Sequence, residues 1–252
     1  MHNNQTLWGI HTVSEAIRAG RKVTRIVIAR GIKNPKIHEI VEKARTEGIL
    51  VEFEPRRVLD QLTHDSTHQG IVATVEAMTY RRLEEFLSGF SDPGLLVVLD
   101  GIEDPHNLGA IIRSSYAAGV DALVVSERRS APLSETAAKA AAGALEYLPI
   151  IRVKNINRSL VAIKKAGFWV FGLDERGSQN YDRVDFLTST AFVLGAEGKG
   201  LRQLTAKHCD SLIRIPLIGH ISSLNVSVSA GVVLFEAAKQ RRHSHQRISK
   251  KR

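Results

Sequence analysis

The sequence predicts an α/β protein in two parts: a small α/β sandwich over residues 1–77, and a larger parallel-sheet domain over residues 94–240. Three observations predict it. Short apolar runs alternate along the whole chain with stretches of helical periodicity. In the second part these runs, near 95–100, 122–125, 149–153, 168–173, 191–195 and 211–215, are continuous. Continuous runs belong to strands covered on both faces, as in a parallel sheet. Between the two parts Ser88, Gly89, Ser91, Asp92, Pro93 and Gly94 break the pattern, so residues 78–93 read as a linker.

In the first part, residues 14–19 read as helix, 24–29 as strand and 35–47 as helix. A strand over 50–53, a short helix over 56–62 and a strand over 70–75 complete it. In the second part helices are predicted near 107–118, 134–145, 156–166 and 224–241. Residues 239–252 hold seven Lys or Arg and no acid, so +7 of the net +9 lies there. Residues 241–252 are therefore expected to form a disordered basic arm, either solvated or touching nucleic acid. A second basic group, Arg18, Arg21, Lys22 and Arg25, is a candidate for phosphate contacts.

Three strand-to-loop-to-helix segments carry the chemistry. In the first, Leu95–Asp100 runs through Gly101-Ile-Glu-Asp-Pro-His-Asn into a helix ending near Gly119. Pro105 stops the strand and Asn107 is able to cap the helix. Arg113 stands among Leu, Ala, Ile, Ser and Tyr, where it either pairs with an acid or presents its guanidinium to a phosphate. In the second, Phe192-Val-Leu-Gly-Ala-Glu-Gly-Lys-Gly ends an apolar run in glycines spaced G-x-x-G-x-G. That is neither the dinucleotide fingerprint nor a Walker A loop, and Glu197 would repel a phosphate. In the third, Ile215-Pro-Leu-Ile-Gly leads to Ser223 and Asn225 at a helix start. There they cap the helix, or offer its N-terminus to a polar ligand.

Other classes are disfavoured. No apolar run reaches membrane-spanning length and no signal-peptide core opens the chain. The single cysteine, Cys209, excludes an internal disulfide and suits a reducing cytosol. His64 and His68 lack the companions of a zinc site, so no metal is expected. Ser223 has no His and Asp at a recognised triad spacing.

The three segments, covering about Leu95 to Gln240, resemble motifs 1, 2 and 3 of the SpoU (TrmH) family of RNA 2′-O-ribose methyltransferases. Trp8-Gly-Ile-His-Thr-Val13 and His68-Gln-Gly-Ile71 resemble the substrate-binding domain of the family's 23S rRNA guanosine-directed branch, which is similar to the ribosomal L30e fold. The resemblance implies S-adenosylmethionine as cofactor, 23S rRNA as partner, a cytoplasmic homodimer and a C-terminal trefoil knot. It implies Arg113, Asn107, Glu197, Ser223 and Asn225 as catalytic residues. Leu194, Gly195, Gly198, Ile215, Leu217, Ser223 and Leu224 are implied around the cofactor. The subunit contact is expected on the last helix, with Val226, Val233 and Leu234 as its apolar stripe. A tRNA-directed or antibiotic-resistance methyltransferase shares the same motifs. A non-catalytic RNA-binding or ribosome-assembly protein would not need all five polar residues, and an oxidoreductase lacks its fingerprint.

Overall fold

The computed structural model describes residues 4–90, 92–198, 200–221 and 223–249. Its first sheet is made by β1 (Asn4–Trp8), β2 (Val23–Ala29), β3 (Leu50–Glu54) and β4 (Ile71–Glu76). They are ordered β1-β4-β2-β3. Helices α1 (Ile10–Arg18), α2 (Pro35–Thr46) and α3 (Arg56–Leu62) connect them. Strand β1 was not predicted, because Asn4-Gln5-Thr6 carries no apolar signal; its antiparallel pairing with β4 and the burial of Leu7 and Trp8 hold it.

Helix α1 starts at Ile10 rather than at residue 14, for a reason in the two N-terminal motifs. The Gln69 side chain accepts from the Ile10 amide at 2.9 Å, and the Gly9 amide donates to the Ile71 carbonyl. Buried His68 accepts from the Gly70 amide through Nδ1, so its proton sits on Nε2, 2.8 Å from Asp60 Oδ1. Gly70 has φ +80, and a Cβ there would lie 2.1 Å from Ile32 Cδ1. His68 thus sets a turn and the two motifs brace each other.

The basic group near α1 is paired within the chain. Arg18 pairs with Glu15, Lys22 with Glu76 and Arg25 with Glu52. Arg21 is buried at the seam with the second domain. It donates to Glu146 Oε1 at 2.7 Å, to Gln5 Oε1 and twice to the Glu76 carbonyl. Tyr147 Oη donates to Glu15 across the same seam.

The expected linker is structured. It contains α4 (Leu83–Gly89), with Leu83 buried and Phe90 packed on Phe168 at 4.7 Å between centroids. The weak periodicity hid it because one turn of apolar residues suffices for so short a helix.

The second domain runs β5 (Leu95–Asp100), α5 (Pro105–Ala117), β6 (Ala122–Ser126), α6 (Glu135–Ala141), β7 (Ile150–Val153), α7 (Ile156–Lys165) and β8 (Trp169–Leu173). It continues through β9 (Gln179–Asn180), β10 (Thr190–Gly195), α8 (Gln203–His208), β11 (Ser211–Arg214) and α9 (Val226–Ser249). Every strand pair is parallel, in the order β7-β6-β5-β10-β8-β11-β9. Leu95, Val97 and Leu99 face the layer of α5, α6 and α9, while Leu96 and Val98 face α4 and α7. That two-sided cover is why the run is continuous. The short β9 and α8 were not predicted.

Gln240 and Arg241 correct the expected disorder of the C-terminal arm. Helix α9 continues to Ser249, and residues 250–252 lie outside the described range. Gln240 joins the Phe186 amide and the Val184 carbonyl; Arg241 donates to the carbonyls of Pro93, Gly94, Phe186 and Thr188. These contacts anchor the helix where the arm was expected to begin. Beyond it the chain to Ser249 holds no Gly or Pro, so an established helix propagates.

Candidate active site

The site forms where β5, β10, β8 and β11 end, outside the carboxyl edge of a parallel sheet, as open α/β sheets generally place their ligands. After β5, Asp104 caps α5 by accepting from the His106 amide at 2.9 Å, with Pro105 in the first turn. Asp104 therefore takes the capping role open to Asn107 and leaves the Asn107 amide free. Asn107 is buried. Its Nδ2 donates to Glu197 Oε2 at 2.9 Å, and its Oδ1 accepts from Asn225 Nδ2 at 2.9 Å. Asn225 Nδ2 also donates to Glu197 Oε1 at 3.2 Å. Two amides thus grip both oxygens of one carboxylate, closing a ring from residues far apart in the chain. Asn225 caps α9 as well, its Oδ1 accepting from the Ser227 amide at 2.8 Å. The capping reading of Asn225 is realised at Oδ1, while Nδ2 is committed to Asn107 and Glu197.

The loop after β10 needs its glycines. A Cβ on Gly195 would lie 2.2 Å from the Gly200 carbonyl oxygen, and Gly198 and Gly200 have φ +72 and +61. The loop is held from β8's end by Asp174, whose Oδ2 accepts from the Leu201 amide. Arg176 hydrogen-bonds Asp174 and holds its carboxyl below the ordinary carboxylate range.

A cavity of about 600 Å³ opens between these loops. Leu194, Gly195, Gly198, Ile215, Leu217, Ser223 and Leu224, the whole set expected around a cofactor, line it together. Glu197 lies in its wall. The sequence reading missed Asp174, Glu175, Arg176, Gln203 and Ser229, which also line it. The signal for the first three was available: Asp-Glu-Arg-Gly directly follows an apolar strand, where a parallel sheet presents its loops. Ser222 and Lys199 fall outside the described residues. A second cavity of about 520 Å³ shares Ala196, Glu197, Gly200 and Val226 with the first and adds Asn107, Arg129 and Arg202.

Arg113 does not join this group. It lines neither cavity, is exposed, and has no hydrogen-bond or ion-pair partner among the described residues. Six residues beyond Asn107 on α5, it points about 120° away around the helix and about 9 Å along it. The stripe expected to meet a second subunit is also elsewhere. Val226, Val233 and Leu234 are buried in the chain's own core with α5, whereas Val228 and Phe235 of α9 are exposed.

Cys209 is a packing residue. Its Sγ contacts the Thr205 carbonyl, and burial pushes the thiol up to about 12. Alkylation of the folded protein by iodoacetamide at pH 8 is expected to be roughly 10³-fold slower than for a free cysteine, because the thiolate is the reactive form. Rapid labelling without denaturant would contradict that packing.

Comparison with known proteins agrees with the geometry. Residues 94–235 match the SpoU rRNA methylase family, and residues 6–81 match the RNA 2′-O ribose methyltransferase substrate-binding domain. A Staphylococcus aureus (strain COL) protein assigned to the TrmH family of tRNA/rRNA methyltransferases is 40% identical over 92% of this chain and 95% of its own. The SpoU methyltransferase AviRb of Streptomyces viridochromogenes superposes with a TM-score of 0.83 at 26% identity, covering 96% of this chain and 91% of its own. An AdoMet-bound rRNA methyltransferase from Sinorhizobium meliloti gives 0.81 at 28% identity, covering 96% and 88%. Fold and site together define an RNA 2′-O-ribose methyltransferase. The chain belongs to the SpoU (TrmH) family.

Proposed function

We propose that this protein transfers the methyl group of S-adenosylmethionine to the ribose 2′-OH of one guanosine in 23S rRNA, acting as a cytoplasmic homodimer. One observation carries the catalytic part of the reading: Glu197, in the wall shared by two cavities, is gripped by Asn107 from the wall of the second cavity and by Asn225 behind it. A group-transfer enzyme needs its polar residues at such a partition. The N-terminal Gly-Ile-His and His-Gln-Gly-Ile motifs, and a likeness to the S. meliloti rRNA enzyme over almost the whole chain, support rRNA as the target. The shared architecture supports the knotted C-terminal part known in this family.

The first cavity suits the cofactor. Leu194, Ile215, Leu217 and Leu224 offer apolar surface for an adenine, and glycine-bearing loops offer main-chain donors and acceptors for its edge. Glu175 and Glu197 on its wall favour a cationic ligand over a phosphate-bearing one. When bound there, S-adenosylmethionine supplies an electrophilic methyl group on its sulfonium.

The chain's own residues do the rest. The Asn107, Asn225 and Glu197 ring, with Ser223 beside it, orients the ribose so that its 2′-oxygen faces the partition. Glu197 lines both cavities, and His106 is exposed on α5 beside Asn107 in sequence. Each is a candidate to receive the 2′-OH proton. Arg113 is supplied by the other subunit, where its guanidinium clamps an RNA phosphate and stabilises the developing alkoxide. Its exposure without a partner among the described residues, next to a helix that leaves Val228 and Phe235 uncovered, supports that arrangement.

Two measurements test the reading. Calorimetry is expected to show binding of S-adenosylmethionine or its demethylated product, and no binding of ATP or NAD. Ribose-methylation mapping of 23S rRNA is expected to lose one guanosine signal in cells lacking the protein. A signal lost from tRNA instead would move the substrate; loss from neither would remove the RNA reading.

A further inference from the structure

We propose that the second cavity is the seat of the target nucleotide, and that Arg129 and Arg202 hold the phosphates on either side of it. This deepens the functional reading above and rests on it.

In-line transfer requires the two reactants to meet through a shared wall, since the accepting oxygen must approach the methyl from the side opposite its leaving group. The second cavity meets that condition. It shares Ala196, Glu197, Gly200 and Val226 with the first, and Asn107 stands on its floor. At about 520 Å³ it has room for a nucleotide taken out of its stack, which is how enzymes and RNA-binding modules reach one residue of a strand.

Its wall holds two guanidinium groups for a polyanion and acceptors for a base. Arg129 lines the cavity from the loop after β6, exposed and without a partner among the described residues. Its backbone φ of +56 is uncommon for a non-glycine residue, and aims it by a strained turn. Arg202 lines the same cavity from the start of α8. It pairs with buried Asp100, Nη1 lying 3.5 Å from Oδ1, and Asp100 also accepts from Thr205 at 2.6 Å. The Arg202 guanidinium makes no hydrogen bond among the described residues, which keeps its donors for an incoming phosphate. Glu103, also in the wall, adds an acceptor for the N–H edge of a base, whereas Asp104 is engaged in capping α5.

The test uses in vitro transcribed 23S rRNA, the full-length protein, and two variants. Arg129→Gln removes an exposed group with no partner among the described residues. Arg202→Lys keeps the charge beside Asp100 and loses the fork. Each is expected to raise the KM for RNA about 10-fold or more, with kcat within a few-fold of wild type and S-adenosylmethionine affinity unchanged. RNA binding measured without cofactor gives an independent readout. For Arg129→Gln the slope of log affinity against log salt is expected to fall by roughly 0.7, one single-strand phosphate contact. Wild-type KM and wild-type salt slope in both variants would overturn the proposal. So would a parallel loss of S-adenosylmethionine affinity, which would assign the arginines to the fold. Failure of the functional reading looks different: the wild-type protein itself would methylate no RNA, while the cofactor-free binding measurements would still judge the seat.

Discussion

Arg113→Ala is expected to lower methyl transfer by 10²-fold or more, about 2.7 kcal/mol or more of barrier, with S-adenosylmethionine binding intact. The expectation follows from chemistry as much as from position. A ribose hydroxyl is a poor nucleophile at neutral pH, so whatever stabilises its developing negative charge lowers the barrier directly. A guanidinium holds its proton to a pKa above about 12, which makes Arg113 a poor free base but a strong anion partner. Arg113→Lys retains charge without the planar fork and is expected to lose roughly 10²-fold as well.

Because Arg113 lines neither cavity of its own chain, a complementation experiment separates the two ways it can act. Arg113→Ala and Glu197→Ala subunits, each inactive alone, are expected to regain activity when co-expressed, since a mixed dimer then holds one intact composite site. No recovery would place Arg113's action within its own subunit or outside catalysis. A near wild-type rate for Arg113→Ala would make it a structural residue. Sedimentation of the wild-type protein as an active monomer at sub-micromolar concentration would remove the composite site altogether.

What the sequence made legible, and what it did not, divides by the range of the interaction. Strands such as Leu95–Asp100 could be read because burial on both faces writes itself into every consecutive residue. The glycines of the 195–200 loop could be read because close backbone approach admits no other residue. The wall of the first cavity was legible through motif resemblance, and those residues do converge. The bonds inside the site were not. Asn107, Glu197 and Asn225 are 90 and 28 positions apart, and no local pattern says that two amides will share one carboxylate. Capping preferences alone could not tell Asp104 from Asn107 as the residue that starts α5. Charge counting misled at both ends of the chain. Arg21 and Arg241 look like free basic residues in sequence, yet one is buried against Glu146 and the other is held by four main-chain carbonyls.

Arg21 carries the largest expected effect on stability. Its side chain is 8% exposed and that of Glu146 4% exposed, with 2.7 Å between them. Burial holds the Glu146 carboxyl above its ordinary value of 4.5 even with the guanidinium pulling it down. Arg21→Ala would leave that carboxylate uncompensated and remove the hydrogen bonds Arg21 gives to Gln5 and Glu76, so a loss of about 3–5 kcal/mol is expected. For a chain of this size that is a fall in melting temperature of roughly 6–20 °C. The pH dependence has a definite sign. A carboxyl whose folded pKa lies above its unfolded one binds its proton more tightly in the fold. Its contribution is therefore full below the unfolded value and is lost as pH rises through the folded one. Without Arg21 the folded value rises further, so the deficit of Arg21→Ala should be largest near pH 8 and shrink toward pH 5. Thermal melts of wild type and variant at the two pH values measure this. The paired replacement Arg21→Met with Glu146→Leu removes both charges together and is expected to recover most of the loss, since an apolar pair of similar size avoids the desolvation cost. A melting temperature for Arg21→Ala within about 2 °C of wild type at pH 8 would mean that water reaches this seam, and that the two domains are not held together by the pair.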